Sequence, residues 1–185
     1  MSRSRRLIGI VEFATAVVIA FEVPPDADAD FTAAWERTHT ATISGTTLHR
    51  ALREDVDFRF VAVAPAHEPD PTPFKSHASV YEVVRVHGRP DVIGGVVLIN
   101  PCEVSPYDDE RFLTGWDRAR TVLAQQQGYL GTRLHRSLTA ADFRLVNIAR
   151  WSSPLMFARA LQRPEFQEAA AAMPFPSHPA LYAPA

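Results

Sequence analysis

The sequence FTAAWER at residues 31–37 returns as FLTGWDR at residues 112–118, 81 positions further along the chain. In both stretches a phenylalanine and a tryptophan are separated by four positions, a spacing that puts both rings on one face of an α-helix. A pattern this specific rarely occurs twice in one chain by chance. The repetition therefore indicates two copies of one structural unit.

Four further blocks repeat in the same order around this helix. They are VVI at 17–19 and VVL at 96–98, LHRAL at 48–52 and LHRSL at 134–138, DFRFV at 57–61 and DFRLV at 142–146, and PFKSHASVY at 73–81 and PFPSHPALY at 174–182. We therefore divide the chain into a degenerate N-terminal repeat at residues 1–88 and a C-terminal repeat at residues 89–185.

The second copy has the pattern of a β-α-β-β-α-β unit, the ferredoxin-like arrangement. The first copy is about sixteen residues shorter before its last block and has there the proline-rich segment HEPDPTP at residues 67–73. Proline interrupts helices, so we expect the first unit to lack its second helix. The sequence predicts an α+β fold in which two tandem ferredoxin-like units form one α+β barrel. Such a chain is a monomer with an internal pseudo-dimer, or a homodimer.

The composition is that of a soluble globular protein, with 46% hydrophobic and 22% charged residues. A formal net charge of −2 argues against a nucleic-acid partner. The single cysteine, Cys102, allows no internal disulfide and fits a reducing compartment. Arginines at positions 3, 5 and 6 precede an apolar stretch that resembles a signal peptide, but residues 17–19 belong to the repeat. We therefore predict a folded strand there, a cytoplasmic protein and no membrane partner.

The second copy resembles the antibiotic biosynthesis monooxygenase family. The residues that carry the resemblance are INP at 99–101, GYLGTRLHR at 128–136, FRLVNIARW at 143–151 and PFPSHPALY at 174–182. Similarity to its anthrone-type oxygenases implies oxidation of an aromatic, polyketide-like phenol by O₂ with no bound cofactor and no metal. The family's Asn-x-x-x-Trp pattern falls on Asn147 and Trp151, which are implied to be catalytic. Four positions apart on a strand, they point to the same face.

A flat hydrophobic cavity beside these two residues is the expected substrate site. Where the oxygenase pattern has a tyrosine and an arginine, this sequence has Phe157 and Gln167. We predict that the substrate-binding residues are Asn100, Phe157, Phe166, Gln167 and Met173. The first copy has Phe21, Ala62 and Ala66 in place of Asn100, Asn147 and Trp151, which predicts a single site, in the second repeat.

Two alternatives remain open, and the sequence argues against a third. The first is an oxygenase of the same family that uses reduced FMN or FAD, which no sequence motif distinguishes. The second is a non-catalytic binding or assembly module, which the absence of the tyrosine and arginine favours. Haem degradation requires a histidine on the second helix, and residues 154–173 contain none. The paired tryptophans Trp35 and Trp116, and the histidine pairs at 49 and 135 and at 77 and 178, are predicted to be structural because the copy without a site keeps them.

Overall fold

The computed structural model describes residues 15–39, 45–65, 72–93 and 95–185. The first repeat contains β1 (Thr15–Phe21), α1 (Asp28–His39), β2 (Thr47–Ala51), β3 (Phe60–Ala64) and β4 (Ser76–Gly88). The second repeat contains β5 (Val96–Cys102), α2 (Asp109–Leu123), β6 (Tyr129–Ser137), β7 (Leu145–Trp151), α3 (Pro154–Leu161), α4 (Pro164–Ala171) and β8 (Ala180–Pro184). Short 3₁₀ turns at Pro25–Ala27 and Pro106–Asp108 lead into α1 and α2.

The eight strands close into one antiparallel barrel in the order β1-β3-β2-β8-β5-β7-β6-β4. The last strand of each repeat pairs with the second strand of the other, since β4 pairs with β6 and β8 pairs with β2. The predicted α+β barrel of two ferredoxin-like units is confirmed. Its two units exchange edges within one chain, so neither leaves an open sheet edge at these junctions.

The barrel interior is filled by apolar side chains from both repeats. Tyr81 and Tyr182, which occupy equivalent positions, are both buried there. The Tyr81 hydroxyl donates to the Phe143 carbonyl at 2.9 Å, and the Tyr182 hydroxyl donates to the Phe58 carbonyl at 2.9 Å. Each bond crosses from one repeat to the other, so the repeats are joined in the barrel interior as well as through the sheet.

The helices cover the outside of the barrel. Phe31 and Trp35 of α1 pack on Phe21 of β1, and their equivalents Phe112 and Trp116 of α2 are buried in the second repeat. Between β3 and β4, residues 65 and 72–75 form no helix, and 66–71 lie outside the described residues. No helix in the described part of the chain is long and apolar enough to cross a membrane.

The second helix of the C-terminal repeat is two short helices. Ser153 caps α3 by accepting a hydrogen bond from the Met156 N–H at 3.3 Å, and Pro154 takes the first helical position. Pro164 cannot donate a backbone hydrogen bond, so α3 ends at Leu161 and α4 begins anew at Pro164. This restart sets which residues of α4 face the barrel.

Candidate active site

A cavity of about 320 Å³ lies between the outer face of β5, β6 and β7 and the helices α2, α3 and α4. Its volume is near the lower end of the range for pockets that hold drug-sized ligands, about 300–1,000 Å³. Phe157 and Met173 stand in its walls and leave the space open. The cavity therefore has room for one flat polycyclic molecule.

The structure brings six of the seven sequence-predicted site residues together around this cavity: Asn100, Asn147, Trp151, Phe157, Phe166 and Met173. The prediction for Gln167 is wrong in its placement. Gln167 is exposed on α4 and is not among the lining residues. Because α4 restarts at Pro164, Phe166 and Ala170 share the face toward the cavity, and Gln167 turns to solvent.

Asn147 lies on β7 directly opposite Asn100 on β5. The Thr132 hydroxyl is 2.7 Å from Asn147 Oδ1 and 3.1 Å from the Ile148 carbonyl oxygen. A hydroxyl has one proton, so the shorter contact to Asn147 is the stronger hydrogen bond. Holding Oδ1 in this way leaves the Nδ2 donors of Asn147 without a hydrogen bond among the described residues.

Trp151 is fully buried, and its indole ring meets the rings of Tyr129 and Phe157 edge to face at 5.5 and 5.4 Å. Its Nε1 has no hydrogen-bond partner in the described part of the structure, and neither does Asn100 Oδ1. Leaving a buried polar atom unpaired costs about 1–3 kcal/mol. Both atoms are shielded from solvent, although the residues that carry them, Trp151 and Asn100, line the same cavity.

Two functional groups in the cavity were missed by the sequence analysis. Tyr129 supplies a phenol from the start of β6, and Arg120 supplies a guanidinium from α2. The oxygenase pattern has a phenol and a cation where this sequence has Phe157 and Gln167. In this cavity the same two types of group come from other elements. Helical spacing was an available signal for Arg120, which follows Trp116 by four positions.

The electrostatics of the cavity favour a bound anion. Burial raises the pKa of Tyr129 to about 12, with the Arg120 charge opposing the rise, so this phenol stays protonated and can donate. Asn147, Trp151 and Arg120 all offer N–H donors. No carboxylate, histidine or cysteine is among the lining residues.

The equivalent face of the first repeat is packed with aromatic rings. Phe31 stacks on Phe60 with centroids 4.3 Å apart and meets Phe21 at 4.9 Å. Ala62, which takes the position of Asn147, is fully buried beneath them. Of these rings, Phe21 takes the position of Asn100 in the cavity wall, whereas Phe31 corresponds to Phe112, which is buried in the second repeat as well.

His49 and His135, the first of the two histidine pairs, make hydrogen-bond contacts within the barrel wall. His49 and His135 are buried, and each Nδ1 lies 3.3 Å from a backbone carbonyl oxygen of the neighbouring strand, Val61 and Val146 respectively. Burial lowers the pKa of His135 to about 4, so its ring is neutral. Trp116 is a buried core residue that also forms part of the cavity wall.

A family model for antibiotic biosynthesis monooxygenases matches residues 95–172, which include β5 to α4 and the whole cavity wall up to Ala170. The second repeat thus contains an antibiotic biosynthesis monooxygenase domain. The match supports a monooxygenase as the general class of this protein. No curated protein matches the chain.

Solved structures share the tandem fold along almost the whole chain. An anthrone oxidase-like protein covers 95% of this chain and 92% of its own, with a TM-score of 0.68 and 14% identity. A monooxygenase-like protein from Listeria innocua covers 93% and 94%, with a TM-score of 0.58 and 14% identity. The heme-degrading enzyme LmHde from Listeria monocytogenes covers 91% and 97%, with a TM-score of 0.55 and 15% identity. At these identities the likeness shows the fold alone.

Proposed function

We propose that this protein is a monooxygenase that oxidises an aromatic, polyketide-like phenol of the anthrone type to a quinone, using O₂ and no bound cofactor. The observation that carries the proposal is the pair of donors on β7. The Trp151 Nε1 is buried and unpaired within the described residues, and the Asn147 Nδ2 donors are left free by the bond from Thr132. Both belong to the wall of one apolar cavity.

These donors suit a reaction in which the substrate is the electron source. Deprotonation of the phenolic anthrone gives an electron-rich anion, which reacts directly with O₂. Donors fixed beside the developing oxyanion stabilise it without reorganisation, and a water-poor cavity strengthens each hydrogen bond. Asn147 is the proposed oxyanion donor, Trp151 positions the ring or the reduced oxygen species, and Asn100 Oδ1 accepts from a substrate hydroxyl.

The remaining walls recognise shape and charge. Phe157, Phe166 and Met173 supply apolar surface for the flat rings, and Arg120 supplies the positive charge that an anionic substrate requires. Because β2 and β6 are each completed by the other repeat, we propose that one chain holds a complete site as a monomer.

The cavity fits the rival activities less well. A reduced flavin and an aromatic substrate together need space for two fused ring systems, and about 320 Å³ suits one. Haem needs an axial ligand, and the lining residues offer no histidine, cysteine or tyrosine other than the hydrogen-bonded Tyr129. A non-catalytic binding module would use the same donors to hold a polar ligand, so turnover is the observation that distinguishes it from an oxygenase.

Oxygen consumption with dithranol, a 1,8-dihydroxyanthrone, tests the proposal. We expect turnover by the wild-type protein without flavin, and a loss of about 10²-fold or more in kcat for Asn147→Ala and for Trp151→Phe. Trp35→Phe is the matched control, because it makes the same change in the repeat without the cavity. Its turnover should equal that of the wild type.

The alternatives give different results in the same assay. Turnover that requires added reduced FMN or FAD would transfer the protein to the flavin-assisted class. Binding of 1,8-dihydroxyanthraquinone without any turnover would indicate a binding module. Equal activity of the wild type and both β7 variants would contradict the proposed site.

A further inference from the structure

A hydrogen-bonded pair of side chains connects the cavity with β4, the strand of the first repeat that pairs with β6. The Tyr129 hydroxyl lies 3.2 Å from Nδ1 of His87, and the two ring centroids are 5.7 Å apart. Tyr129 is in the cavity wall, whereas His87 is a half-buried residue of β4 and is not. The cavity of the second repeat is thus connected to a titratable side chain of the first.

An irregularity in β6 creates this contact. In the pairing of β6 with β7, Tyr129 faces Trp151 and Gly131 faces Arg150, so Leu130 is an extra residue in β6. Such a bulge reverses the alternation of side chains and redirects the residue before it. Tyr129 therefore shares the outer face with Thr132, whose partner on β4 is His87.

Backbone packing holds the junction in place. Gly131 faces Gly88 on β4, and a Cβ on Gly131 would come within 2.6 Å of the backbone of Arg89. The close approach of the two strands fixes His87 beside Tyr129. It also gives a use to the first repeat, whose described residues form no cavity equivalent to that of the second repeat but supply β4.

We propose that Tyr129 and His87 form a proton relay that carries the substrate's proton out of the cavity and returns it to reduced oxygen. Tyr129 is the catalytic member because it reaches the cavity, and His87 acts through it. The inference rests on the function proposed above and adds the route of the proton. Neither residue belongs to the Asn-x-x-x-Trp pattern.

In the proposed relay every proton that leaves the substrate has a stated acceptor. The Tyr129 oxygen takes a proton from the bound anthrone as its own hydroxyl proton passes to His87 Nδ1, which leaves a substrate anion and an imidazolium. The anion reduces O₂ and forms a carbon-bound peroxide. The same proton returns through Tyr129 as the O–O bond breaks, and loss of the second C–H proton completes water. Anthrone and O₂ thus become quinone and water with no external reductant.

The high pKa of Tyr129 agrees with this role. A phenol whose pKa is raised to about 12 by burial does not hold a negative charge for long, so it passes a proton on rather than storing the charge. The imidazole Nδ1 of His87 is the hydrogen-bond partner that can accept that proton.

The test compares Tyr129→Phe and His87→Asn with Tyr81→Phe. Asparagine places an amide oxygen where His87 has Nδ1 and keeps the hydrogen bond to Tyr129, but it cannot carry a proton. Tyr81→Phe removes a more deeply buried phenol hydroxyl inside the barrel, away from the cavity. We expect kcat for dithranol to fall roughly tenfold or more in the first two variants, with KM nearly unchanged and the control like wild type.

A second readout needs no turnover. The product-type ligand 1,8-dihydroxyanthraquinone changes colour when its phenol ionises, so a stopped-flow pH jump follows loss of the proton from the bound ligand. Relay variants should slow this ionisation and leave its final extent the same. Wild-type rates in His87→Asn, or in Tyr129→Phe, overturn the relay while leaving the oxygenase intact. Failure of the wild type both to bind the quinone and to consume O₂ overturns the proposed function, and the relay with it.

Discussion

Nδ1 of His178, near the end of the second repeat, lies 2.7 Å from the Asp57 carboxylate of the first. The equivalent contact, between His77 Nδ1 and the Asp142 carboxylate, is 2.6 Å. Each imidazole also binds a glutamate of its own repeat through Nε2, His178 to Glu103 at 2.9 Å. These two histidine–carboxylate clusters flank the packed rings of Phe58 and Phe143, so they join the repeats at the centre of the pseudo-dimer.

This arrangement predicts stability that depends on pH. Burial lowers the pKa of His178, but the hydrogen bonds and charges of Asp57 and Glu103 outweigh it and raise the pKa above its usual value. The stabilisation is therefore complete below about pH 6.5, the pKa of an unfolded histidine, and is lost as the pH rises through the raised folded-state pKa. In urea unfolding, His178→Asn should cost about 0.5–1 kcal/mol in the acidic range and less in the alkaline range. A cost that is constant with pH would contradict this.

Thr132 should act as a positioning residue for Asn147. Thr132→Ala removes the hydroxyl that holds Asn147 Oδ1 and frees the amide to rotate, which should reduce kcat by about tenfold, the equivalent of one hydrogen bond of about 1.4 kcal/mol. Thr132→Ser keeps the hydroxyl and should restore most of the activity. Steady-state kinetics on the two variants, with KM as a second readout, checks this. Equal losses in both would point to packing instead.

Gly115 should control the size of the cavity. A Cβ at this position of α2 would clash with Cγ of Met173, and Met173 lines the cavity. The flexible methionine can move away, and alanine favours a helix over glycine by up to about 1 kcal/mol. Gly115→Ala should therefore leave thermal stability equal or higher while weakening binding of 1,8-dihydroxyanthraquinone severalfold. Unchanged affinity would show that Met173 moves away from the cavity.

An ion pair in the first repeat should contribute more stability than its counterpart in the second. Arg59 makes two hydrogen bonds to Asp28 at 2.7 and 3.0 Å, and its side chain is 4% exposed, compared with 22% for Arg144 beside Asp109. Asp28→Asn leaves a buried cation without its partner and should cost about 3–5 kcal/mol. Asp109→Asn should cost clearly less in the same chemical denaturation series.

The Asp28 effect also has a predictable pH dependence. The Arg59 hydrogen bonds lower the pKa of Asp28, so its contribution is present above the unfolded pKa of about 3.9 and is lost as the pH falls through the lower folded value. The difference in the free energy of unfolding between the wild type and Asp28→Asn should therefore become smaller only in strong acid.

Repetition and helical spacing predicted most of the fold. The Phe-x-x-x-Trp motifs define α1 and α2, and the proline-rich segment predicted the shortened first unit. The closure of the barrel follows from pairing β4 with β6 and β8 with β2, which no local pattern specifies but which the internal pseudo-dimer implied.

The parts of the site that the sequence missed depend on irregular geometry. Strict alternation from Thr132 puts Tyr129 on the opposite face, and only the bulge at Leu130 returns it to the cavity. Gln167 was assigned by alignment with the arginine of the oxygenase pattern, which does not specify the direction of a side chain on α4. His87 is far from the motif in sequence, and it joins the site only through the pairing of β4 with β6.

Turnover of dithranol under ¹⁸O₂, without flavin and with mass analysis of both products, tests the central claim most directly. We predict that one labelled oxygen enters the quinone and the other enters water. The Asn147→Ala protein should form both products far more slowly than the wild type. Quinone without label, or label released as hydrogen peroxide, would contradict a monooxygenase acting at the cavity beside Asn147 and Trp151.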